Sequence, residues 1–250
     1  MSNVNNYDRI ADLYDLYVTA DYDISFWKKE GQGASEVLEV TAGTGRVSLP
    51  LVRQGSKVTA LDASWKQLQR MQQKAASEGL HIDIVKADMR DFDLGKTFPL
   101  VIIPFQSLQE LTDPCDATAA LRRVRAHISE EGRAIVTLHH PSAQTCGDGR
   151  TLRLVDEYRL PNENRMLFWL ARNYNAETHI GTSYQIYEEY DVDGLLHRKR
   201  IFTPTYRVFE RDDIEQRIAS AGLRITNVWG GYDWSPLTDE SRFMIYELKV

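Results

Sequence analysis

The chain has little of what disulfide-stapled, membrane-spanning and nucleic-acid-binding proteins depend on. Of its 250 residues only Cys115 and Cys146 are cysteines. That is too few for a disulfide framework, and it leads us to expect a reducing, cytoplasmic setting. Its apolar runs are far shorter than a bilayer requires and its first residues are polar, so neither a membrane span nor a secretory leader is expected. The net charge is −6 at pH 7, and no stretch beyond His197-Arg198-Lys199-Arg200 is dense in lysine and arginine. A polyanionic partner such as nucleic acid is therefore disfavoured. There is no internal repeat, no low-complexity linker and no metal-ligand spacing of His, Asp or Glu, so no metal is expected.

What is present begins with Val37-Leu38-Glu39-Val40-Thr41-Ala42-Gly43-Thr44-Gly45-Arg46-Val47. A short apolar run ending at a turn is the pattern of a central parallel strand covered on both faces. Gly43 and Gly45 let the backbone turn tightly and approach a ligand, and the helix that follows offers free N–H groups. A second run, Lys57 to Leu61, ends in Asp62, which lies 23 residues after Glu39. That interval suits one strand–helix–strand unit, and a carboxylate at the second strand tip can accept hydrogen bonds from both hydroxyls of a ribose. A third run, His81 to Ala87, ends at Asp88-Met89-Arg90-Asp91. The fourth, Phe98 to Pro104, runs into Phe105-Gln106-Ser107-Leu108-Gln109-Glu110, and the fifth, Arg133 to Leu138, closes on His139-His140-Pro141. Taken alone, the glycine loop also allows a dinucleotide fingerprint starting at Gly43, with Ser48 in place of its third glycine.

The acid before the glycines, with the acids closing strands two and three, resembles class I S-adenosylmethionine (SAM)-dependent methyltransferases. Their loop runs acid-x-Gly-x-Gly-x-Gly; here Thr41 stands at the first glycine. The resemblance implies SAM as cofactor and S-adenosyl-L-homocysteine as product, with cofactor contacts from Glu39, Ala42, Gly43, Gly45, Asp62, Ala63, Asp88, Met89 and Phe105. Tyr7-Asp8-x-x-Ala11-x-x-Tyr14-Asp15 is similar to a lid segment of small-molecule members, expected as an amphipathic helix with Tyr14 touching the cofactor or acceptor. Pro104-Phe105-Gln106-Ser107 is neither the Asn/Asp-Pro-Pro-Tyr motif of adenine and glutamine methylation nor a Pro-Cys nucleophile, so those substrate classes are set aside. Within the superfamily the chain most resembles bacterial amino-sugar and glycopeptide N-methyltransferases.

The expected fold is α/β, a Rossmann-like seven-stranded sheet with an antiparallel last strand. From about Pro141 the strand–helix rhythm stops. After the Gly147-Asp148-Gly149 loop, Arg165 to Tyr174, Thr182 to Val192 and Leu195 to Val208 read as antiparallel strands. Residues 1–140 with 209–250 are thus assigned to the cofactor-binding core and 141–208 to an inserted subdomain. The insert covers the active-site mouth or forms a homodimer contact; the residues do not choose between these. A helix from Arg211 stopping at Gly222 returns the chain to the core, followed by strands Ile225 to Trp229 and Phe243 to Leu248.

The implied reaction is methyl transfer to a nitrogen or oxygen of a small-molecule acceptor by in-line displacement. Candidate bases are His139, His140 and Glu110, all at the strand edge where ligands of open α/β sheets bind. Gln106, Trp169 and Tyr184 are candidate acceptor contacts. Phe168, Tyr187, Trp229, Tyr232 and Trp234 are further aromatics of the same region, most of them expected in the core. His81, His127, His179 and His197 are read as structural or solvent-exposed. Two alternatives stay open: an NAD(P)-dependent oxidoreductase, although no Tyr-x-x-x-Lys pair is present, and a SAM-binding protein without transferase activity.

Overall fold

The computed structural model describes residues 5–144 and 151–250; Cys146 and the Gly147-Asp148-Gly149 loop lie outside them. A 3-10 turn, Tyr7–Arg9, leads into α1 (Ala11–Tyr17) and α2 (Ile24–Glu30). Alternation then begins: β1 (Glu36–Val40), α3 (Ser48–Arg53), β2 (Lys57–Asp62), α4 (Trp65–Ser77), β3 (Asp83–Lys86) and β4 (Phe98–Ile103). A second 3-10 turn, Ser107–Glu110, precedes α5 (Pro114–Ala126), β5 (Ile128–His139) and the short α6 (Pro141–Gln144). Five strands follow: β6 (Arg153–Arg159), β7 (Arg165–Asn175), β8 (Ile180–Tyr190), β9 (Leu196–Phe202) and β10 (Thr205–Arg207). The chain ends with α7 (Arg211–Ser220), β11 (Arg224–Trp229) and β12 (Phe243–Lys249).

Seven strands form one sheet in the order β11-β12-β5-β4-β1-β2-β3, with β12 antiparallel to both neighbours. This is the sheet expected of a class I methyltransferase. Its central strands are buried on both faces, so they read as continuous apolar runs. Leu38 and Val40 of β1 join one apolar cluster and Val37 the other. Ligands of such sheets lie at the carboxyl ends of the strands, where β1, β2, β4 and β5 all point to one edge. The helices are started by local chemistry. Asp113 caps α5 through Cys115 N at 2.8 Å with Pro114 in the first turn, and Ser64 caps α4.

The other five strands form an antiparallel sheet, β10-β8-β7-β6 with β9 also on β8. The expected single strand from Leu195 to Val208 is broken, because Pro204 has no N–H to give to a ladder. Its carbonyl instead accepts from Ser183 N at 2.9 Å, and β9 and β10 pair separately with β8. The amphipathic helix expected at the N-terminus is likewise split, with Ile10 at φ −131° between the 3-10 turn and α1. Neither α2 nor β6 was expected. Ile10 and Leu13 pack with Met166, Phe168, Tyr187 and Phe202, so the N-terminal segment is bound to the antiparallel sheet by an apolar cluster of its own. Among the described residues no helix is long and apolar enough to cross a membrane.

Candidate cofactor and acceptor cavities

Residues 41–47 carry the chain from β1 to α3 as a tight loop. A Cβ on Gly43 (φ +56°) would lie 3.2 Å from Gln67 Oε1. On Gly45 (φ +86°) it would lie 2.5 Å from Met71 Cγ, so this glycine allows the loop to seat on α4 rather than face a ligand. Thr41 also takes a left-handed conformation, φ +67°, costly for a β-branched residue. Ala42 is buried, and its N–H goes to Leu61 O at 2.9 Å. Glu39 lies under the loop, 2 % exposed, and accepts from Ser48 Oγ. Burial pushes its carboxyl up to about 8, against the pull of the Ser48 hydroxyl and of Arg46. Glu39, Ala42 and Gly45 thus support the loop, whereas Thr41 and Gly43 line the cavity in front of it.

That cavity holds about 670 Å³ and lies across the carboxyl ends of β1, β2 and β3. Asp62 stands in its wall. One of its oxygens accepts from Gly43 N at 2.8 Å and the other from Ser64 N at 2.7 Å. Burial raises this carboxyl to about 6 in spite of those donors. Asp88 is placed further along, held below the usual carboxylate range by the Arg90 guanidinium at 2.6 and 2.9 Å. Ala63 and Met89 line the same space. Gln67 lines it too, and its buried Nε2 has no hydrogen-bond partner among the described residues.

The N-terminal segment crosses this cavity as a strap pinned at several points. Asp8 accepts from Ser64 Oγ at 2.6 Å and Lys66 N at 3.0 Å. Asp15 accepts from Thr44 Oγ1 and pairs with Lys74 at 3.1 Å. Asp12 holds Arg200 of β9 at 2.6 and 2.9 Å. Asn5 exchanges hydrogen bonds with the backbone of Thr205, at 3.0 Å each. The strap brings Tyr7 and Tyr14 edge to face, 5.9 Å between ring centres.

Beyond the strap a second, larger cavity of about 1580 Å³ opens between the seven-stranded sheet and the antiparallel sheet. Tyr7, Tyr14, Ser107 and Glu110 line both cavities and so form the wall between them. Glu110 accepts from Tyr7 Oη at 2.7 Å and from Asn5 Nδ2 at 3.1 Å. Desolvation raises its carboxyl to about 7, and both donors work against that rise. Phe105 and Gln106 follow β4 in consecutive left-handed conformations, φ +55° and +60°, and this turn carries Phe105, expected at the cofactor, into the lining of the second cavity beside Gln106 and not of the first. The Arg46 guanidinium lies 4.3 Å from the Phe105 ring centre, and Gln106 Nε2 donates to Tyr232 Oη at 2.9 Å. His139 is on the same wall. Burial first, then Arg242 and Arg172, push its imidazole down to about 4, so it is neutral at pH 7.

Three expected site residues lie elsewhere. The His140 ring is turned away to Ser142 Oγ, at 2.8 Å from Nδ1, and does not line the cavity. On β7 and β8, Phe168 and Tyr187 face inward, so Trp169 and Tyr184 fall on the opposite face. Trp169 Nε1 there donates to Glu188 Oε2 at 3.0 Å, and Tyr184 is 43 % exposed. In their place the sheet presents Arg172, Ser183 and Gln185 to the cavity, joined by Tyr206 and by Arg242, the residue before β12. None of these five was a candidate from the sequence. Tyr7 was visible in the Tyr-Asp repeat, but spacing gave no reason to prefer it to Tyr14.

Residues 37–132 match a methyltransferase domain family. The dTDP-3-amino-3,6-dideoxy-α-D-glucopyranose N,N-dimethyltransferase of Streptomyces fradiae is 30 % identical over 136 residues, 51 % of this chain and 52 % of that enzyme. The chain thus matches about half the length of that relative. The CcbJ methyltransferase of Streptomyces caelestis superposes with a TM-score of 0.84 at 21 % identity, covering 100 % of this chain and 99 % of the other. An S-adenosylmethionine-dependent methyltransferase of Clostridium acetobutylicum gives 0.80 at 18 % identity, with 98 % of each chain covered.

Proposed function

We propose that this chain, a member of the SAM-dependent methyltransferases, transfers a methyl group to the nitrogen of a small-molecule amine. SAM fits the first cavity by the chemistry of its donors. The half-buried Asp62 carboxylate retains lone pairs for ribose hydroxyls, Asp88 offers an acceptor at the adenine end, and Gln67 Nε2 is a buried donor in want of a partner. Glu39, Ala42 and Gly45 act at one remove, by holding the glycine loop.

Held by Asp62, Gln67 and Asp88, SAM would supply a methyl carbon activated by a sulfonium charge, with S-adenosyl-L-homocysteine as the leaving group. The task left to the protein is alignment, exclusion of water and removal of one proton, because an ammonium has no lone pair to donate. Alignment alone can lower such barriers by roughly 7–11 kcal/mol. Glu110 stands on the wall between the cavities with a carboxyl poised near neutrality, the range in which a base both exists ionised and holds a proton. Tyr7 and Asn5 fix one oxygen each, which orients the group and keeps part of it ionised at pH 7. His139, neutral and further into the acceptor cavity, can accept a hydrogen bond from the acceptor.

The observation that carries this reading is that common wall: the Glu110 carboxyl, raised by burial, lines both a cavity that holds Asp62, Gln67 and Asp88 and a second cavity between the two sheets. Calorimetry with SAM, S-adenosyl-L-homocysteine, NAD and NADP, followed by a radiolabelled methyl-transfer assay on amines and phenols, tests it. Binding of the two SAM-type ligands alone and methylation of amines are expected. Binding of NAD, or methylation of phenols in preference to amines, would overturn it.

A further inference from the structure

The lining of the first cavity has three acids, Asp62, Asp88 and Glu110, and no lysine, arginine or histidine. Asp88 is met within the chain by Arg90 at 2.6 Å. Asp62 is held by the backbone N–H groups of Gly43 and Ser64, and Glu110 by Tyr7 and Asn5. All four donors are neutral, and among the described residues neither carboxyl has a basic side chain within ion-pair distance. Asp62 adds to the rise of Glu110 by repulsion, and Asp8 of the strap does the same to Asp62. Other groups around Glu110 do not offset this. Tyr14 and Tyr17 face it from α1 and are uncharged at pH 7. Of the elements packed on its turn, β5 brings the neutral His139, and α5 brings Asp113 and Asp116. From β10 comes Arg207, whose guanidinium is turned to Thr112 O and Thr178 O at 3.3 and 3.1 Å. Arg46, which bears on Tyr14, is paired with Asp23 and lines neither cavity. A further unmet group points to a ligand here: Gln67, 3 % exposed, lines the same cavity with its Nε2 unpartnered among the described residues.

We infer that this cavity selects its ligand by charge, with Asp62 and Glu110 as counter-ions to a sulfonium, so that SAM is taken up in exchange for part of a proton and S-adenosyl-L-homocysteine is not. This rests on the reading of SAM as methyl donor above and adds which of the two ligands the cavity prefers. The two differ by one methyl group and one positive charge. Their adenosine and amino-acid parts are the same, so contacts to those parts hold both alike. Between half-buried groups the attraction of unlike charges is screened less than in water. Desolvation, first among the causes, holds Asp62 at about 6 and Glu110 at about 7. A positive charge brought into the cavity pulls both down, so protons leave as the cation binds and its affinity rises with pH through this interval. A neutral thioether leaves both carboxyls where they are. The cavity therefore favours the methyl donor over its product. Loading of the donor also ionises Glu110, the form in which it can take a proton from an acceptor amine.

Calorimetry between pH 5.5 and pH 7.0 tests this without turnover, using SAM, S-adenosyl-L-homocysteine and sinefungin. Sinefungin has an ammonium-bearing carbon in place of the methylated sulfur and no methyl group to transfer. The dissociation constant of SAM, relative to that of S-adenosyl-L-homocysteine, should fall about fivefold as pH rises across this range, and sinefungin should follow SAM. At pH 6.5, buffers of different ionisation enthalpy should report release of roughly half a proton with SAM and none with S-adenosyl-L-homocysteine. In Glu110→Gln the relative change should shrink to about threefold, the part left to Asp62. Binding of S-adenosyl-L-homocysteine to that variant should stay within about twofold, which shows it folded. A ratio that does not move with pH overturns the inference, as does equal proton release with both ligands. A sinefungin profile as flat as that of S-adenosyl-L-homocysteine, or an undiminished change in the variant, overturns it equally. Failure of the unmodified chain to bind either SAM-type ligand at any pH would instead remove SAM as the cofactor.

Discussion

The Tyr7 phenol donates to Oε1 of Glu110 across 2.7 Å, joining residues 103 positions apart. This bond links the strap to the turn after β4 where cofactor and acceptor cavities meet. It ties the proposed base to the segment that crosses the first cavity. With Asn5 on the other oxygen, the carboxylate is held at both ends by residues of one short stretch. The strap therefore does more than cover: it supplies the two side-chain hydrogen bonds that orient Glu110.

Replacement Glu110→Gln keeps the shape and removes the base. We expect kcat to fall about 100-fold, the lower range for a general base, while the SAM dissociation constant changes less than threefold. In the unmodified chain kcat/KM should rise with pH through a midpoint near 7, as the carboxyl becomes a carboxylate. That limb should vanish in the variant. A variant that retains its rate excludes Glu110 as base.

Tyr7→Phe tests positioning rather than chemistry. The phenol lowers the Glu110 pKa by donating to the carboxylate, so its loss leaves desolvation less opposed. The ascending limb should move to higher pH, and the rate at high pH should recover to within a few-fold of normal. A uniform loss at every pH would mark Tyr7 as a packing residue only.

Asp62→Asn should weaken SAM about 100-fold by calorimetry, because a carboxylate accepting from ribose hydroxyls makes charge-assisted bonds of about 1.5–3 kcal/mol each. It also exchanges one of two acceptors for a donor, which must face either Gly43 N or Ser64 N. An unchanged affinity would mean that the ribose lies elsewhere.

Much of this site could be read from residues in order. The apolar run before Gly43, and the acids at the ends of the next two strands, are local patterns that buried parallel strands impose on sequence. The acceptor side is different, because aromatic residues occupy both parities of β7 and β8. Phe168 alternates with Trp169, and Tyr187 is three positions from Tyr184, so a period of two could not say which set faces inward. That Arg172 and Arg242 line one cavity depends on how one sheet packs against the other, which no spacing encodes. The exposed β6 gave no alternation to detect, with only Tyr158 partly covered. The break before β10 is legible in Pro204, which has no N–H for a ladder.

Thr41 stands where a glycine would carry φ +67° without strain. Thr41→Gly should stabilise the ligand-free chain by about 1 kcal/mol, the relief of a strained β-branched residue less the added freedom of glycine when unfolded. Urea unfolding at pH 7 measures this. A loss of stability would show that the Thr41 hydroxyl, which donates to Val40 O, outweighs the backbone strain.

Glu39 should leave its mark on stability against pH. Its carboxyl is pushed from the ordinary 4.5 to about 8 in the folded chain. The folded state therefore holds a proton that the unfolded state releases between those values. The stability this contributes is complete below pH 4.5 and is lost as pH rises from there through 8, at about 1.4 kcal/mol per pH unit. Glu39→Gln keeps a neutral group of the same shape beside Ser48 and cannot ionise. Asp62 and Glu110, also raised, impose slopes of the same sign in both proteins, so the informative quantity is the difference between variant and parent. That difference should move in favour of the variant from pH 5 to pH 8 in urea titrations without ligand. A constant difference across the range would place the ionised carboxylate, not the neutral acid, beneath the glycine loop at neutral pH.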